Sequence, residues 1–424
     1  MPVELIVEPE TCRIYPNELD LPAFDPLHPG FLADPYPFYR RYRANCPVHC
    51  SVEPTSSNPG FWYLFRYADV AAALKDPRFG REMPPVSASN GCPIKPAATN
   101  LFYEMAGKWM LYRDPPDHTR LRSLVNKAFT PRMVEQLRPQ IAILANSLLD
   151  EVEGAGAMDV IADYAFPLPL ATIAALLGVR AEDQRQFREW SNALSAAIDQ
   201  NRTPNVYEQA SQATVELSAY FRAILSLRRE QPEDDLMSAL IYAEECGGHL
   251  SEDEVVGTCI LLLAAGHETT VDLVGNSMLR LLRNPTQLNI LQANPALLPA
   301  AVEELMRFDS PVQMTARIAL EDVEIDGHLI RKGAKITMVL GSANRDPEAF
   351  ENPEELDLRR GAKTHLCFGL GIHFCTGAPL ARAGGQIGIG TLLRRFPGMR
   401  LDSELADWRD GLVFRGLRQL PVSF

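Results

Sequence analysis

The sequence predicts a mainly α-helical protein with a minor β part, and two observations support the helical prediction. Helical patterns of apolar residues dominate from about 117 to 308. Within them, the sequence SEDE at 251–254 is a capping box that begins a helix reaching about Arg283, where Asn284 and Pro285 stop it. At about thirty residues, this helix would be roughly 45 Å long, enough to cross a whole domain.

The remaining elements are predicted to be shorter. The sequence FWYLFRY at 61–67 predicts a strand, and VEIDGHLI at 323–330 predicts a β-hairpin whose turn is Asp326-Gly327. Short helices are predicted at 37–45, 68–77 and 379–396. No linker or internal repeat divides the chain. We therefore expect one domain over residues 1–424, with β-containing portions at about 50–70 and 310–345 and helical portions at about 115–310 and 379–396.

Composition and charge exclude several classes of protein. The chain has 424 residues, 46% of them apolar, and a net charge of −13, so we expect no nucleic-acid binding, which requires a dominant basic patch. The N-terminus has no basic segment followed by an apolar run, and the strongest apolar stretch, CILLLAAG at 259–266, is too short to span a membrane. The eight cysteines are scattered and form no disulfide pattern. We expect a cytoplasmic protein with reduced thiols and no membrane anchor.

One cysteine, Cys375, lies in a glycine-rich segment just before a predicted helix. A lone cysteine is usually a buried structural residue. Here Gly369, Gly371 and Gly377 allow backbone N–H groups to point at the sulfur, and the N-terminus of the helix lies close by; both favour the thiolate, which is the form that binds metal. Cys367 lacks these surroundings. Zinc needs three or four clustered ligands and an iron–sulfur cluster needs four cysteines, so a single thiolate fits haem better.

The segment FGLGIHFCTGAPLAR at 368–382 resembles the haem-binding loop of the cytochrome P-450 family at every expected position. The resemblance implies a soluble, bacterial-type protein with a triangular, helix-rich fold, in which haem b lies between the long central helix and the helix after the cysteine. It implies that Cys375 is the iron ligand, that His373 contacts a haem propionate, and that Phe368, Gly369 and Gly377 belong to the cofactor-binding loop. Thiolate donation to the iron favours O–O cleavage.

The sequence AGHETT at 265–270 places polar side chains inside the long apolar helix, where their burial costs free energy unless they are bonded or needed. One interpretation is that a threonine hydroxyl bonds to a carbonyl one turn earlier. The other, which the resemblance implies for this pattern, is proton delivery to dioxygen. On that interpretation Gly266, beside Ala265, lets haem or oxygen approach the helix, and Glu268 and Thr269 pass protons.

Two further segments match the family in order and spacing. In DPPDHTRLR at 114–122, His118 and Arg122 lie at i, i+4 on one helical face. As an isolated pair they would most simply be a solvated surface, but the resemblance implies that they bind the haem carboxylates. Arg317, in PVQMTAR, is implied to join them.

The sequence EELMR contains Glu304 and Arg307 at i, i+3. Alone, such a pair is usually exposed and worth ~0.2–0.5 kcal/mol. The resemblance implies instead a buried structural network behind the haem. In LDLRR, Arg359 is the expected additional member of this network, with Arg360 as the alternative.

The last predicted helix is unusually rich in glycine, since LAR is followed by AGGQIGIG with glycines at 384, 385, 388 and 390. Each helical glycine costs about 0.5–1 kcal/mol relative to alanine. We expect these glycines to allow close packing of the helix on a neighbour.

The resemblance implies a haem-thiolate monooxygenase that inserts one atom of O2 into a C–H or C=C bond of a lipophilic small molecule, with electrons from NAD(P)H. The chain has no flavin or iron–sulfur motif, so the expected electron donors are a separate ferredoxin or flavodoxin and its reductase. Residues 108–132, with six basic and two acidic residues, are the predicted docking segment. We expect a monomer.

Two alternatives remain open: a haem-thiolate peroxygenase or isomerase, and a non-catalytic haem sensor or carrier. The Glu268-Thr269 pair argues against both, because neither requires a proton relay. Substrate contacts are expected in four segments, at 80–110, 195–208, 262–269 and after Pro311. These segments do not distinguish a fatty acid from a terpenoid, a steroid or a macrolide.

Overall fold

The computed structural model describes residues 24–52, 59–82, 100–199, 204–245, 247–361 and 364–424. The helices are α1 (Pro29–Ala33), α2 (Tyr36–Asn45), α3 (Tyr67–Lys75), α4 (Asn100–Ala106), α5 (Asp117–Ala128), α6 (Pro131–Glu153), α7 (Pro167–Leu176), α8 (Gln184–Ile198), α9 (Pro204–Glu230), α10 (Leu236–Tyr242), α11 (Glu252–Gly266), α12 (Glu268–Leu282), α13 (Pro285–Ala293), α14 (Leu298–Phe308), α15 (Leu340–Ala343) and α16 (Ala378–Arg395). Within these ranges, no helix is both long enough and apolar enough to cross a membrane.

Strands form a smaller part of the described chain. They are β1 (Val48–Val52), β2 (Phe61–Leu64), β3 (Phe79–Gly80), β4 (Ala157–Asp159), β5 (Glu244–Glu245), β6 (Gly248–His249), β7 (Met314–Ala319), β8 (Val323–Ile325), β9 (His328–Ile330), β10 (Lys335–Val339), β11 (Arg400–Leu401), β12 (Asp407–Trp408), β13 (Leu417–Gln419) and β14 (Pro421–Ser423). The predicted class, mainly α with a minor β part, is confirmed.

The largest sheet joins distant parts of the chain in the order β1–β2–β10–β7–β3. Strand β2 runs parallel to β10, and the other neighbours are antiparallel. The predicted hairpin is present as β8 and β9. Its turn residues Asp326 and Gly327 both have positive φ, which is the geometry that favours Asp-Gly in two-residue hairpins.

The predicted long helix is present but divided. Its capping box is confirmed, because Ser251 Oγ accepts a hydrogen bond from the Glu254 N–H and the Glu254 carboxylate accepts one from the Ser251 N–H. Helix α11 ends at Gly266, and α12 begins two residues later, after His267. Nearly every residue of α12 is buried, and this helix packs against α14 and α16.

The glycines of α16 explain this packing. A Cβ atom on Gly385 would lie 2.8 Å from Cδ2 of Leu273 in α12, and one on Gly390 would meet α14 at a similarly short distance. A Cβ on Gly384 would lie 3.4 Å from Cγ2 of Thr270, which is an ordinary contact. The predicted close approach of this helix to its neighbours is therefore confirmed.

Candidate active site

The cysteine loop lies directly before α16 and has a tightly constrained backbone. Gly369 has φ of +67° and Gly371 has φ of +72°, a region that side-chain-bearing residues rarely adopt. A Cβ atom on Gly371 would lie 2.5 Å from the backbone oxygen of Leu74, so glycine is required there for space as well. The Cys375 N–H donates to the Phe368 oxygen at 2.9 Å, which closes the loop. Two of the three predicted glycines therefore shape the backbone.

Backbone donors surround the sulfur of Cys375. Desolvation by the surrounding protein raises the pKa of this thiol, whereas hydrogen bonds from the backbone of Gly377 and Ala378 and the charge of Arg122 oppose the rise. Gly377 is also the residue before α16, so the positive end of that helix faces the same atom. The donors act in the direction predicted from the sequence, towards the thiolate.

The four predicted carboxylate donors lie beside this loop. The rings of His118 and His373 are 4.3 Å apart between centroids. Their Nε2 atoms are buried and have no hydrogen-bond partner among the described residues. Arg317 is 4% exposed, and it donates hydrogen bonds within its own strand, to Ala316 O (2.9 Å) and the Thr315 hydroxyl (3.3 Å). Arg122 donates to the carbonyl of Phe374 in the loop.

These groups repel one another electrostatically. Burial, and after it the charges of Arg81 and Arg317, lowers the pKa of His373 from 6.5 to about 2. Burial and the charge of Arg81 lower the pKa of Arg317 to about 8. The nearby carboxylate of Asp114 is already used, since it accepts hydrogen bonds from the N–H groups of Arg81 and Glu82. The cluster is therefore arranged to receive anionic groups.

A short stretch of the central helix around its division is partly exposed. Ala265 is exposed and Thr269 is half-buried, although the residues just before them are fully buried. The hydroxyl of Thr269 donates to Ala265 O at 3.0 Å, and that of Thr270 donates to Gly266 O at 2.9 Å. In the structure both threonines therefore bond back to carbonyls one turn earlier, as the first interpretation of AGHETT expects.

The residue at the division, His267, is held by two neighbours. Its Nδ1 lies 2.8 Å from Ser191 Oγ in α8, and its Nε2 lies 3.2 Å from Phe166 O. Burial lowers its pKa to about 4, so the ring is neutral near pH 7. His267 therefore fixes the helix at this point.

The carboxylate of Glu268 is bound by a cation from a distant part of the chain. It is 6% exposed and forms an ion pair with Arg409, which also binds Asp272 one turn further along α12. Arg409 could not be recognised from the sequence, because it lies about 140 residues away in the chain, after β12. In the structure the Glu268 carboxylate is therefore engaged in an ion pair.

Glu304 and Arg307 form a buried network. Arg307 Nε and Nη2 donate to the two carboxylate oxygens of Glu304 at 2.7 and 2.8 Å, and the side chains are 2% and 5% exposed. The third member is Arg360, whose Nε donates to Glu304 Oε1 at 3.0 Å. The prediction that Arg359 joins this network is wrong. Its side chain is exposed, and its N–H donates to Asp357 Oδ1 in a turn that directs the next residue, Arg360, inwards. The interpretation as an exposed pair is wrong as well.

The comparison with known proteins decides the family. The sequence matches the family model "Cytochrome P450" over residues 87–399. The chain belongs to the cytochrome P450 family.

Relatives of this P450 cover almost the whole chain. It is 41% identical to the biotin biosynthesis cytochrome P450 of Bacillus subtilis (strain 168), over 93% of this chain and 97% of that protein. It is 40% identical to the cytochrome P450 monooxygenase PikC of Streptomyces venezuelae, over 96% and 94%. The solved structure of P450BioI in complex with hexadec-9Z-enoic acid ligated acyl carrier protein superposes with a TM-score of 0.86, covering 93% of this chain and 99% of that one, at 41% identity. The chain is a cytochrome P450 monooxygenase.

The residues of this P450 fit the haem-thiolate iron that the family implies. A single cysteine with backbone donors suits the iron, and two buried imidazole nitrogens that have no partner in the described part of the chain suit the carboxylates of the macrocycle. Arg81 is an additional member of the cationic cluster that the sequence did not indicate. It lies directly after β3 and outside any helix, so no helical periodicity relates it to His118.

Proposed function

We propose that this P450 inserts one atom of O2 into a C–H or C=C bond of a lipophilic small molecule, using electrons from NAD(P)H delivered by separate proteins. One observation supports this most directly. The loop that holds Cys375 under backbone donors also brings His373 against His118, so an iron ligand and carboxylate partners occur together. A zinc or structural site has no use for the second feature.

The proposed roles follow from this arrangement. Cys375 would hold the iron of haem b, and His118, Arg122, Arg317 and His373 would hold its carboxylates, with Phe368, Gly369 and Gly377 shaping the loop. When bound, the haem supplies the iron centre that activates dioxygen, and thiolate donation favours O–O cleavage. We add Arg81 to the carboxylate donors, because its charge acts on both His373 and Arg317.

Protons are proposed to reach dioxygen through Glu268 and Thr269. The exposed Ala265 and the half-buried Gly266 would let haem or oxygen approach the helix, and the Thr269 hydroxyl lies 3.0 Å from Ala265 O in the same stretch. General acid catalysis of this kind contributes about 10²–10⁴-fold to a rate. Peroxygenase, isomerase and sensor functions do not require a proton relay through this acid and hydroxyl.

Electrons are proposed to come from a ferredoxin or flavodoxin that docks on the basic segment 108–132, beside the cysteine loop. The structure refines this hypothesis, because three of the basic residues pair with acids outside the segment. Lys108 pairs with Asp253, Arg113 with Glu82, and Arg120 with Glu254 of the capping box. Charge reversal at Arg120 would therefore also disturb α11.

Arg132, at the exposed start of α6, makes no ion pair within the described residues and is the better position to test docking. We expect Arg132→Glu to slow reduction by a surrogate ferredoxin at low salt and to have little effect at high salt, because exposed charges are screened there. Equal reduction rates for wild type and variant at low salt would contradict docking at this position.

The substrate class is proposed from the relatives. A similar structure holds a fatty acyl chain on its carrier protein, so acyl chains, free or carrier-bound, are the first substrates to test. The segments predicted to contact the substrate lie partly outside the described residues, at 83–99 and 200–203. Spin-state titration with free hexadec-9Z-enoic acid, with the same acid on an acyl carrier protein, and with a steroid would rank these classes.

We further propose that residues 1–424 form one P450 domain that acts as a monomer in the cytoplasm. The experiment that tests the function compares turnover with NADH, a surrogate ferredoxin and its reductase against turnover with hydrogen peroxide alone. Oxygenated product that requires NADH and O2 would support the monooxygenase. Product formed only with peroxide would indicate a peroxygenase, and no product in either case, with every tested ligand bound, would indicate a sensor or carrier.

A further inference from the structure

A small cavity lies beside the division of the central helix. Gly266 at the end of α11 and Thr270 in the first turn of α12 line one side of it. Helix α7 contributes Ile173, and α16 contributes Gly384. The space open to the centre of a water-sized molecule is about 20 Å³. Because about 10–15 Å³ of such space accommodates one water molecule, the cavity can hold one molecule of similar or slightly larger size.

The lining of this cavity is apolar. The described side chains that line it are aliphatic apart from two threonines, whose hydroxyls are engaged within their own helices. The hydroxyl of Thr172 donates to Leu168 O at 2.8 Å, and that of Thr270 donates to Gly266 O at 2.9 Å. Neither hydroxyl therefore has a proton left for a guest molecule. A buried water needs about two to four polar partners, whereas cavities lined by aliphatic groups stay dry and bind apolar guests such as xenon.

The cavity opens towards the proposed haem site. Of the residues that line it, Gly266 and Leu380 are half-buried and the others are buried. Gly266 follows the exposed Ala265, and Leu380 lies in the first turn of α16, five residues after Cys375. The cavity is therefore closed by α6 and α7 and open between α11 and α16, next to the stretch where dioxygen is proposed to react.

Packing does not explain the glycine at position 384. A Cβ atom there would lie 3.4 Å from Cγ2 of Thr270, which is an ordinary contact. A Cβ atom on the next residue, Gly385, would lie 2.8 Å from Cδ2 of Leu273, so that glycine is needed for the approach of α16 to α12. Glycine inside a helix is less favourable than alanine. The effect of Gly384 that remains is the space it leaves in the cavity.

We propose that this cavity is a docking site for dioxygen, in which one gas molecule is held between Ile173, Thr270 and Gly384 before it passes Gly266 towards the iron. The inference rests on the proposed oxygenase function, because it names the place from which that reaction draws its gas. Dioxygen is small and uncharged, and the transfer of an apolar solute from water to an apolar environment is favourable. Docking is non-covalent, so no bond forms or breaks and neither protons nor electrons move. Carbon monoxide, which is similar in size and polarity, should occupy the same site.

The first test is xenon binding to crystals of the ferric full-length holoprotein, because xenon is apolar and can be located by its anomalous scattering. Wild type should show a xenon peak in the cavity, and Gly384→Ala should lose it, since the added methyl group takes up the space. Gly257→Ala is the matched control and should keep the peak. Gly257 is likewise a buried glycine within a helix, a Cβ atom on it would lie 3.5 Å from Sδ of Met105, and it does not line the cavity.

The variant Thr172→Val distinguishes a gas site from a water site. Valine has the shape of threonine without its hydroxyl, so the xenon peak should persist in this variant. An ordered water that excludes xenon from the wild-type cavity, and that is lost in Thr172→Val, would identify a hydration site and overturn the inference.

The second test measures the supply of gas to the iron without turnover. After a laser flash releases carbon monoxide from the dithionite-reduced holoprotein, a molecule docked in the cavity can rebind before it escapes. We expect Gly384→Ala to rebind a smaller fraction in this rapid phase and to bind dioxygen about twofold more slowly, because fewer gas molecules are held close to the iron. Gly257→Ala should match wild type in both measurements.

A wild-type holoprotein without xenon in the cavity would overturn the inference. So would a Gly384→Ala variant that keeps the xenon peak, or one that loses it while rapid rebinding and dioxygen association stay unchanged. Should Gly384→Ala fail to fold, Ile173→Val enlarges the cavity instead and should raise the xenon occupancy; a lower occupancy would overturn the inference too. Product formation that requires NADH and O2 tests the proposed function separately. Such product without xenon binding overturns only the docking site, and its absence with xenon bound overturns the function and the supply role with it.

Discussion

The network around Glu304 predicts a graded series of stability losses. Arg307 is the most deeply buried member, and besides Glu304 it donates to Asn344 O at 2.8 Å and Pro353 O at 3.0 Å. Its replacement by alanine leaves a buried carboxylate with one cation fewer and several carbonyls without donors. Breaking a buried ion pair in this way costs about 3–5 kcal/mol. We therefore expect Arg307→Ala to remove a large part of the free energy of unfolding.

The two adjacent arginines provide a matched pair. Arg360→Ala removes one charge-assisted bond to Glu304 and a bond to Glu355 O at 2.9 Å, but Glu304 keeps Arg307 and the Asp357 N–H at 3.0 Å. One charge-assisted hydrogen bond contributes about 1.5–3 kcal/mol. Replacement of the exposed Arg359 by alanine should lower the free energy of unfolding by no more than about 0.5 kcal/mol.

The assay is urea unfolding of each ferric holoprotein, followed both by far-ultraviolet circular dichroism and by haem absorption. The urea midpoint should be highest for Arg359→Ala, lower for Arg360→Ala and lowest for Arg307→Ala. The midpoint of Arg359→Ala should be indistinguishable from that of wild type. An equal loss for Arg359→Ala and Arg360→Ala would refute the assignment of Arg360. A fall in the free energy of unfolding of less than about 1 kcal/mol for Arg307→Ala would refute the conclusion that this buried ion pair stabilises the fold.

Three further predictions concern glycines and one ion pair. Gly371→Ala should lose haem, measured by haem content after gel filtration, whereas Gly361→Ala, with φ of +76° but open space around it, should retain haem and lose only about 1–2 kcal/mol of stability. Gly384→Ala should raise the free energy of unfolding by about 0.5–1 kcal/mol, and with it the unfolding midpoint, because the added methyl group fits. A lower midpoint would contradict that fit. Burial lowers the pKa of His365, but its neighbours, including Glu303, outweigh burial and raise the pKa from 6.5 to about 9. The stability that protonated His365 contributes is therefore complete below about pH 6.5 and is lost as the pH rises through about 9. His365→Gln should therefore flatten the alkaline fall of the wild-type unfolding midpoint, and an unchanged pH profile would contradict this.

Local signals in the sequence predicted much of the fold. The capping box at Ser251, the Asp326-Gly327 turn and the stop at Pro285 each depend on residues close together in the chain, and each was confirmed. The division at His267 was not predicted, because His267 is held by hydrogen bonds with Ser191 and Phe166 in other elements.

The candidate site was predictable where one short segment contains its chemistry, as around Cys375. It was not predictable where partners meet through the fold. Arg409 reaches Glu268 from a distant hairpin, and Arg81 joins His118 from the end of β3. The choice between Arg359 and Arg360 depended on a turn at Asp357 that sequence spacing does not resolve.

The most direct test of the central claim, that Cys375 is the thiolate ligand of a haem, is the carbon-monoxide difference spectrum of the reduced protein. Wild type should show the red-shifted Soret band of a thiolate-bound haem, and Cys375→His should lose it. Cys367→Ser is the matched control, because Cys367 bonds to Asn344 and Met306 in the structure and not to the donors around Cys375. Wild type without the band, or a band that survives in Cys375→His, would contradict the account.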